Sequence, residues 1–355
     1  MAEEKIDKEE ARKCLAVGCF GFSTDDTLAG RASAFYDDLS NALEKIENLT
    51  ELKVDLGDTQ FGETLLSPNG DSFFPHCYNT TVYFKLYIPF KVQEALGFPC
   101  STEKFEVFIV HHYHYPVTYI PAEREGGIPP YDLSGRIALV REYLKSKFKS
   151  EVLNFFCVGP SPFHATFEAD PSDEELSLTD LEKAPGYRRY RYPYDPQQSN
   201  HLYPFILKYG DTLSLFYALT TTRSRILSDE MAIAGGITSI VSPPADFRSK
   251  FRRFWTRSDD VDSVHSLIMS AEQRREYIRA ELEQAAGARA NSDFRDLEYH
   301  FAELQKLSLP KAYEKELQVL ATYERRGLAT VQNSAVLIAG LLGGILGAIG
   351  ASLAG

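Results

Sequence analysis

Three histidines form the densest cluster of chemically capable side chains in the chain. His111, His112 and His114 fall within the aromatic run Val110-His111-His112-Tyr113-His114-Tyr115. On a strand, side chains alternate between faces, so His112 and His114 project together. An H-x-H pair of this kind can ligate a metal through its imidazoles, with His76 or His164 as a third ligand from elsewhere. Aromatic-rich strands also carry stacked histidines for structural reasons, and no acidic residue stands nearby at a diagnostic spacing. The pair is a candidate metal site, and no resident cofactor is expected.

A second candidate is the loop Gly159-Pro160-Ser161-Pro162-Phe163-His164. It follows an apolar run expected to be a buried strand, the place where α/β folds put functional loops. Ser161 and His164 are nucleophile and base types. The pattern is not G-x-S-x-G, however, and two prolines oppose a helix-starting elbow. A rigid loop that contacts a small ligand or a protein partner is a better expectation than catalysis, and a plain turn is better still. The chain has no P-loop, no G-x-G-x-x-G, no H-E-x-x-H and no kinase signature. The reading leans away from an enzyme.

The elements that position these residues come from periodicity. Leu15–Phe22 and Leu52–Leu56 read as strands, and Arg31–Leu49 reads as a helix with Phe35, Leu39, Leu43 and Ile46 on one face. Thr81–Phe90 alternates, with Val82, Phe84, Leu86 and Ile88 opposite Tyr83, Lys85 and Tyr87. Phe105–Ile120 reads as one long strand with an edge or bulge at Pro116. Ser134–Lys149 reads as a helix presenting Ile137, Val140, Leu144 and Phe148, and Leu153–Val158 as a buried strand. These predict an α/β or α+β sandwich over 1–170. Residues 171–198, rich in Pro, Asp, Tyr and Arg without apolar period, read as a linker or long loop. Residues 199–330 read as a helical bundle or stalk. His201–Leu227 is expected to be helical, Met231–Ser242 is apolar, and helices follow at Val261–Gln284, Asp293–Leu307 and Lys311–Thr330. Their stripes are Val264, Leu267 and Ile268; Leu297, Phe301 and Leu304; and Leu317 and Leu320.

The formal net charge of −12 argues against broad nucleic-acid binding. Local basic patches stand at Arg248–Arg257, which includes Arg252 and Arg253, and at Tyr187–Tyr192. The first can face anionic lipid. The five cysteines include no C-x-x-C and sit mostly in apolar runs, which reads as a reduced, cytoplasmic head. The polar, acidic N-terminus has no secretory character.

The strongest signal lies in residues 331–355. Beyond Arg325-Arg326 no charged side chain occurs, and Asn333–Leu353 contains no ionisable residue at all. A helix of about 20 residues spans the hydrocarbon core of a bilayer. The arginine pair on its N-terminal side orients it with the head in the cytoplasm. Ala339, Gly343, Gly347 and Ala351 recur every four residues, and so do Gly340, Gly344 and Ala348. Each Gly costs about 1 kcal/mol of helix propensity relative to Ala. In lipid, such rows let helix backbones touch. The expected fold is thus an α/β head, a helical stalk and a C-terminal transmembrane helix. The expected function is a homo-oligomeric membrane effector, whose tail anchors in or permeabilises the bilayer, by analogy with toxin and phage-defence effectors. A tail-anchored enzyme using the histidines, or a soluble assembly with the tail as interface, are the alternatives.

Overall fold

Chain that alternates apolar and polar residues forms strands when one face can be buried, and the run after Lys13 finds cover on both sides. A computed structural model of the chain describes residues 12–24, 32–55, 60–63, 73–76, 80–112, 115–124, 131–158, 165–172, 179–184, 187–195, 202–242, 247–284, 295–307 and 313–325. The chain divides into two compact units, Met1–Thr222 with Ala285–Glu303, and Arg223–Gln284 with Leu304–Gly355.

The first unit is mixed α and β, with a mostly antiparallel sheet. Its strands are β1 (Arg12–Gly18), β2 (Phe20–Thr24), β3 (Leu49–Asp55), β4 (Gln60–Glu63), β5 (Phe73–His76), β6 (Thr80–Tyr87), β7 (Lys104–His111), β8 (Pro116–Arg124), β9 (Leu153–Cys157), β10 (Ala165–Pro171), β11 (Thr179–Ala184) and β12 (Tyr187–Tyr194). Its helices are α1 (Ala32–Glu44), α2 (Phe90–Leu96), α3 (Tyr131–Lys147) and the first half of α4 (Leu202–Val241). Eight strands pair in the order β11-β12-β10-β1-β8-β7-β6-β3, and four more in the order β4-β5-β2-β9. Only β10 and β12 run parallel among these pairs of described strands.

β1 and β2 are nearly continuous, so one stretch of chain serves both sheets, crossing over at Gly18 and Cys19. Thr118 Oγ1 donates to the Phe20 carbonyl at 2.7 Å and ties the small sheet to β8. Gly18 lies so close to α3 that an added Cβ would stand 2.4 Å from Ile137 Cγ2.

One face of the large sheet carries Cys14, Ala16, Val82, Phe84, Leu86, Val107, Ile109 and Ile120, packed with Phe35, Leu39 and Leu43 of α1 and with Val140 and Leu144 of α3. The expected helix stripes and the alternation of β6 hold. Between α2 and β7, buried Gln93 donates to the Ile88 and Thr102 carbonyls and accepts from Cys100 N–H, so its amide organises this connection. Gly97, at φ 81°, closes α2 in the left-handed conformation that glycine adopts without strain. On the opposite face, Phe205 of α4 lies 4.9 Å between ring centroids from Phe167 and from Tyr192, and meets Tyr119 edge-on at 6.3 Å.

Three sequence expectations change. Phe105–Ile120 is an antiparallel hairpin rather than one strand: β7 ends at His111, paired with Pro116, which begins β8. Proline lacks an N–H, so it is tolerated at a strand's first position. Residues 171–198 contain β11 and β12 rather than only linker, because Tyr190 and Tyr192 alternate into the core while Arg189 and Arg191 face carboxylates. Finally, His201–Leu227 and Met231–Ser242 merge into the single 40-residue helix α4.

The second unit contains the rest of α4, α5 (Phe247–Gln284), the end of α6 (Arg295–Leu307) and α7 (314–325). Ile233, Ile240, Val261, Val264, Ile268, Ala271, Tyr313 and Leu320 form its core. Leu317, expected inside, is exposed, and Tyr313 one turn earlier is buried in its place. Arg275, buried, engages Glu230 and the Leu307 carbonyl, while Arg274 pairs with Asp229 at 3.3 Å. No helix among the described residues is long and apolar enough to cross a membrane.

Gly18→Ala should lower stability by about 1–3 kcal/mol through overpacking. In an Ile137→Ala background, which removes the clashing methyl, the same change should cost little. Denaturant midpoints for the four proteins check this, and additive losses would show that Ile137 is not what Gly18 accommodates.

Candidate functional site

The histidine run is divided by the end of β7. His111, its last residue, turns toward the small sheet, where Nε2–H donates to the Phe22 carbonyl at 3.2 Å. The Cβ of any residue replacing Gly21 would stand 2.7 Å from Pro116. This histidine is structural, buried between strands.

His112 lies just past the strand and meets α4. Its Nδ1 is 3.2 Å from Asp211 Oδ1, and its Nε2 is 3.4 Å from the Tyr119 hydroxyl. A carboxylate only accepts, so Nδ1–H donates to Asp211, and in the tautomer that this proton defines the Tyr119 hydroxyl donates to Nε2. The ring rests against Gly210: a Cβ there would stand 2.1 Å from Cε1. One turn along α4, Ser214 Oγ accepts from Tyr115 N–H at 2.7 Å and is fully buried. Burial pushes the Tyr119 phenol well above its ordinary value, with Tyr217 next and Asp211 after it adding to the rise.

This carboxylate–imidazole–phenol row has the composition of a proton relay. Its phenol is fully buried and its imidazole nearly so, leaving the half-exposed Asp211 side chain as the row's solvent-facing end. A reacting atom cannot approach Tyr119 without the helix moving. What the row does is fasten α4 to the sheet: Gly210 admits the ring, Asp211 orients it and Ser214 satisfies the turn's backbone. These three partners, with Tyr119, were missed because each lies in another element. The available signal was the spacing Gly210-x-x-x-Ser214-x-x-Tyr217, which places a glycine and two hydroxyls on one helix face.

His112 and His114 are not shown together, since His114 lies outside the described residues, as do Ser161 and His164. Both ring nitrogens of His112 are engaged, so a metal there would displace Asp211 or Tyr119. Among the described residues no group of three or more His, Cys, Asp or Glu is placed to hold a metal ion. Arg252 and Arg253 lie on α5, their side chains outside the described set, and Arg325 is exposed at the end of α7. Arg326 and the interface residues Ala339, Gly340, Gly343, Gly344, Gly347, Ala348 and Ala351 also lie outside it. Two arginines of β12's basic run are answered locally: Arg189 binds buried Glu168 at 2.6 Å, and Arg191 stands 3.5 Å from Asp170. Cys14, Cys19 and Cys100 are buried and Cys157 partly buried, and none of these four forms a disulfide. Burial pushes the Cys19 thiol well up, which suppresses thiolate chemistry.

No protein-family model, no curated protein and no solved structure matches this chain.

His112→Ala should destabilise by about 1–3 kcal/mol, since it leaves the Tyr119 hydroxyl buried without its acceptor. Tyr119→Phe added to it should restore part of the loss, a recovery that lost packing alone would not produce. The phenol also sets an alkaline limit. The native state holds the Tyr119 proton above pH 10, where the unfolded chain releases it, so this stabilisation is complete below that pH and fades as pH rises. Tyr119→Phe should therefore flatten the alkaline fall in stability, measured as unfolding midpoint against pH.

Proposed function

We propose that the chain is a membrane effector: a cytoplasmic head, a helical region that relays or enforces assembly, and a tail that self-associates in the bilayer. The observation that carries this reading is Asn333–Leu353, free of ionisable side chains and ridged by two rows of small residues four apart. A passive anchor has no use for several glycines, each unfavourable in a helix, whereas close backbone packing in lipid requires them. Lipid is the partner of the tail, further copies of the chain its neighbours in the bilayer, and a ligand or protein bound at the head its trigger.

The head fits a sensing or docking role better than a catalytic one. Among the described residues, His111 is committed to an internal contact with Phe22 and His112 to contacts with Asp211 and Tyr119. Arg189 and Arg191 of β12 are likewise matched by acids. The tail-anchored enzyme reading needs a site that those side chains do not supply. Arg325 and Arg326, just before the tail, would lie at the anionic headgroups, with Arg252 and Arg253 as a further basic contact.

Gly343→Leu with Gly347→Leu makes the tail more hydrophobic while filling the ridge. Membrane partition should persist or rise, while crosslinked oligomers and leakage of dye-loaded vesicles should fall by about tenfold, the scale of a 1–2 kcal/mol helix–helix contact. The corresponding Ala pair should be milder. Equal assembly and leakage in wild type and both pairs would reject a packed membrane assembly. A full-length chain that partitions like a 1–330 truncation would reject membrane insertion altogether.

A further inference from the structure

The second unit presents an apolar groove of about 720 Å³ between α4 and the start of α7. Leu227, Met231, Ala234, Ile237 and Val319 line it, with Tyr313 at its base. Met231 is 76% exposed and Leu227 42%. Gly235, on the same helix, has nothing within 4 Å of the position its Cβ would take. The polar atoms of this face are turned inward: Thr238 Oγ1 donates to the Ala234 carbonyl at 2.8 Å, and Ser242 Oγ to the Thr238 carbonyl at 2.7 Å, so methyl and methylene groups face outward. Of the groove's charged residues, Glu230 is bound by Arg275, and Lys315 and Glu316 are adjacent opposites on α7. Nothing in its lining calls for a charged occupant.

We propose that this groove is the resting seat of the chain's own C-terminal segment, Asn333–Leu353. This rests on the reading of that segment as the membrane-active one and adds how it is held in check. The occupant follows from connectivity. α7, which forms one wall, ends at residue 325, and the uncharged segment starts at Asn333. Eight residues reach at most about 28 Å when extended, so the segment can double back onto the groove its preceding helix lines, but not far beyond it. A chain of this hydrophobicity also needs cover in water, since an exposed apolar surface of that length drives aggregation. The groove supplies cover at an effective concentration that a second copy in dilute solution does not match. Ala234 and Gly235 let a helix approach α4 closely, and the residues best suited to that approach are the tail's own glycines, the ones needed for assembly in lipid. Groove and bilayer therefore compete for one face, and membrane activity requires release.

The test uses the full-length protein with Ala234→Leu and Thr238→Leu, both exposed positions in the groove's lining, to fill it. Met269→Leu, on an exposed site of α5 outside the groove, is the control. Amide hydrogen exchange is followed for 333–353 without lipid at concentrations where the protein sediments as a monomer. Leakage is read from vesicles of equal phosphatidylcholine and phosphatidylglycerol. The expected result is a protected tail in wild type and control. Filling the groove should speed its exchange by about tenfold or more and raise vesicle binding in parallel. An unprotected tail in the wild-type monomer, or protection unchanged by filling, overturns the proposal. Protection that appears only as the protein dimerises assigns the groove to a second copy and overturns it equally. A tail released by filling that still neither binds nor permeabilises vesicles upholds the seat, and it is then the membrane reading that fails.

Discussion

A sheet of eight strands has two apolar faces, and every strand buried on both sides must find helices above and below it. β1 is the strand on which this need centres. Cys14 and Ala16 point to α1 and α3, while Leu15 and Val17 are buried on the other face, toward which α4 brings Phe205, Tyr209, Phe216 and Tyr217. Because β1 continues into β2, it also supplies the central strand that pairs the small sheet's β5 and β9. Four packing relations converge on thirteen residues of chain, Arg12–Thr24. This explains why Gly18 and Gly21 tolerate no side chain: helix and neighbouring strand both close to van der Waals contact there.

The second cover, α4, is where polarity enters. An aromatic layer alone would let a helix slide, since apolar contact has no preferred register. Hydrogen bonds from His112 to Asp211 and from Tyr115 N–H to Ser214 are directional and select one register, at the cost of burying groups that must all be satisfied. The histidine that looked like a ligand is in this way a register pin. One ring nitrogen reaches the Asp211 carboxylate of α4 and the other the Tyr119 hydroxyl of β8, so the ring bridges helix and sheet.

In the second unit the balance differs. Its core is built from three isoleucines, two valines, an alanine, a leucine and a tyrosine, and the same unit holds the Arg275–Glu230 pair. Arg275 is buried and Glu230 only partly so, and desolvation offsets much of the attraction in such a pair. The same unit leaves Met231, Val241 and Leu227 in contact with solvent. A helical unit with exposed apolar side chains is suited to exchange partners, which is the behaviour the proposed role demands of it.

Local periodicity was enough to place α1, α3 and β6 and to name most of their inward residues, since a buried face repeats every 3.6 or two positions whatever it packs against. It was also enough to pick out Asn333–Leu353, whose lack of charge and four-residue rows are properties of the segment itself. Tertiary structure alone decided the rest. Pro116 opens a strand instead of interrupting one, because the chain reverses after His111 and the missing N–H falls where no ladder bond is needed. β11 and β12 exist in a polar, proline-rich stretch because β10 offers a parallel edge, and Glu168 and Asp170 are there to receive the arginines. The role of His112 depended on Asp211, 99 residues away in sequence. No local pattern encodes a pair at that separation; it forms only when the sheet and α4 have already met.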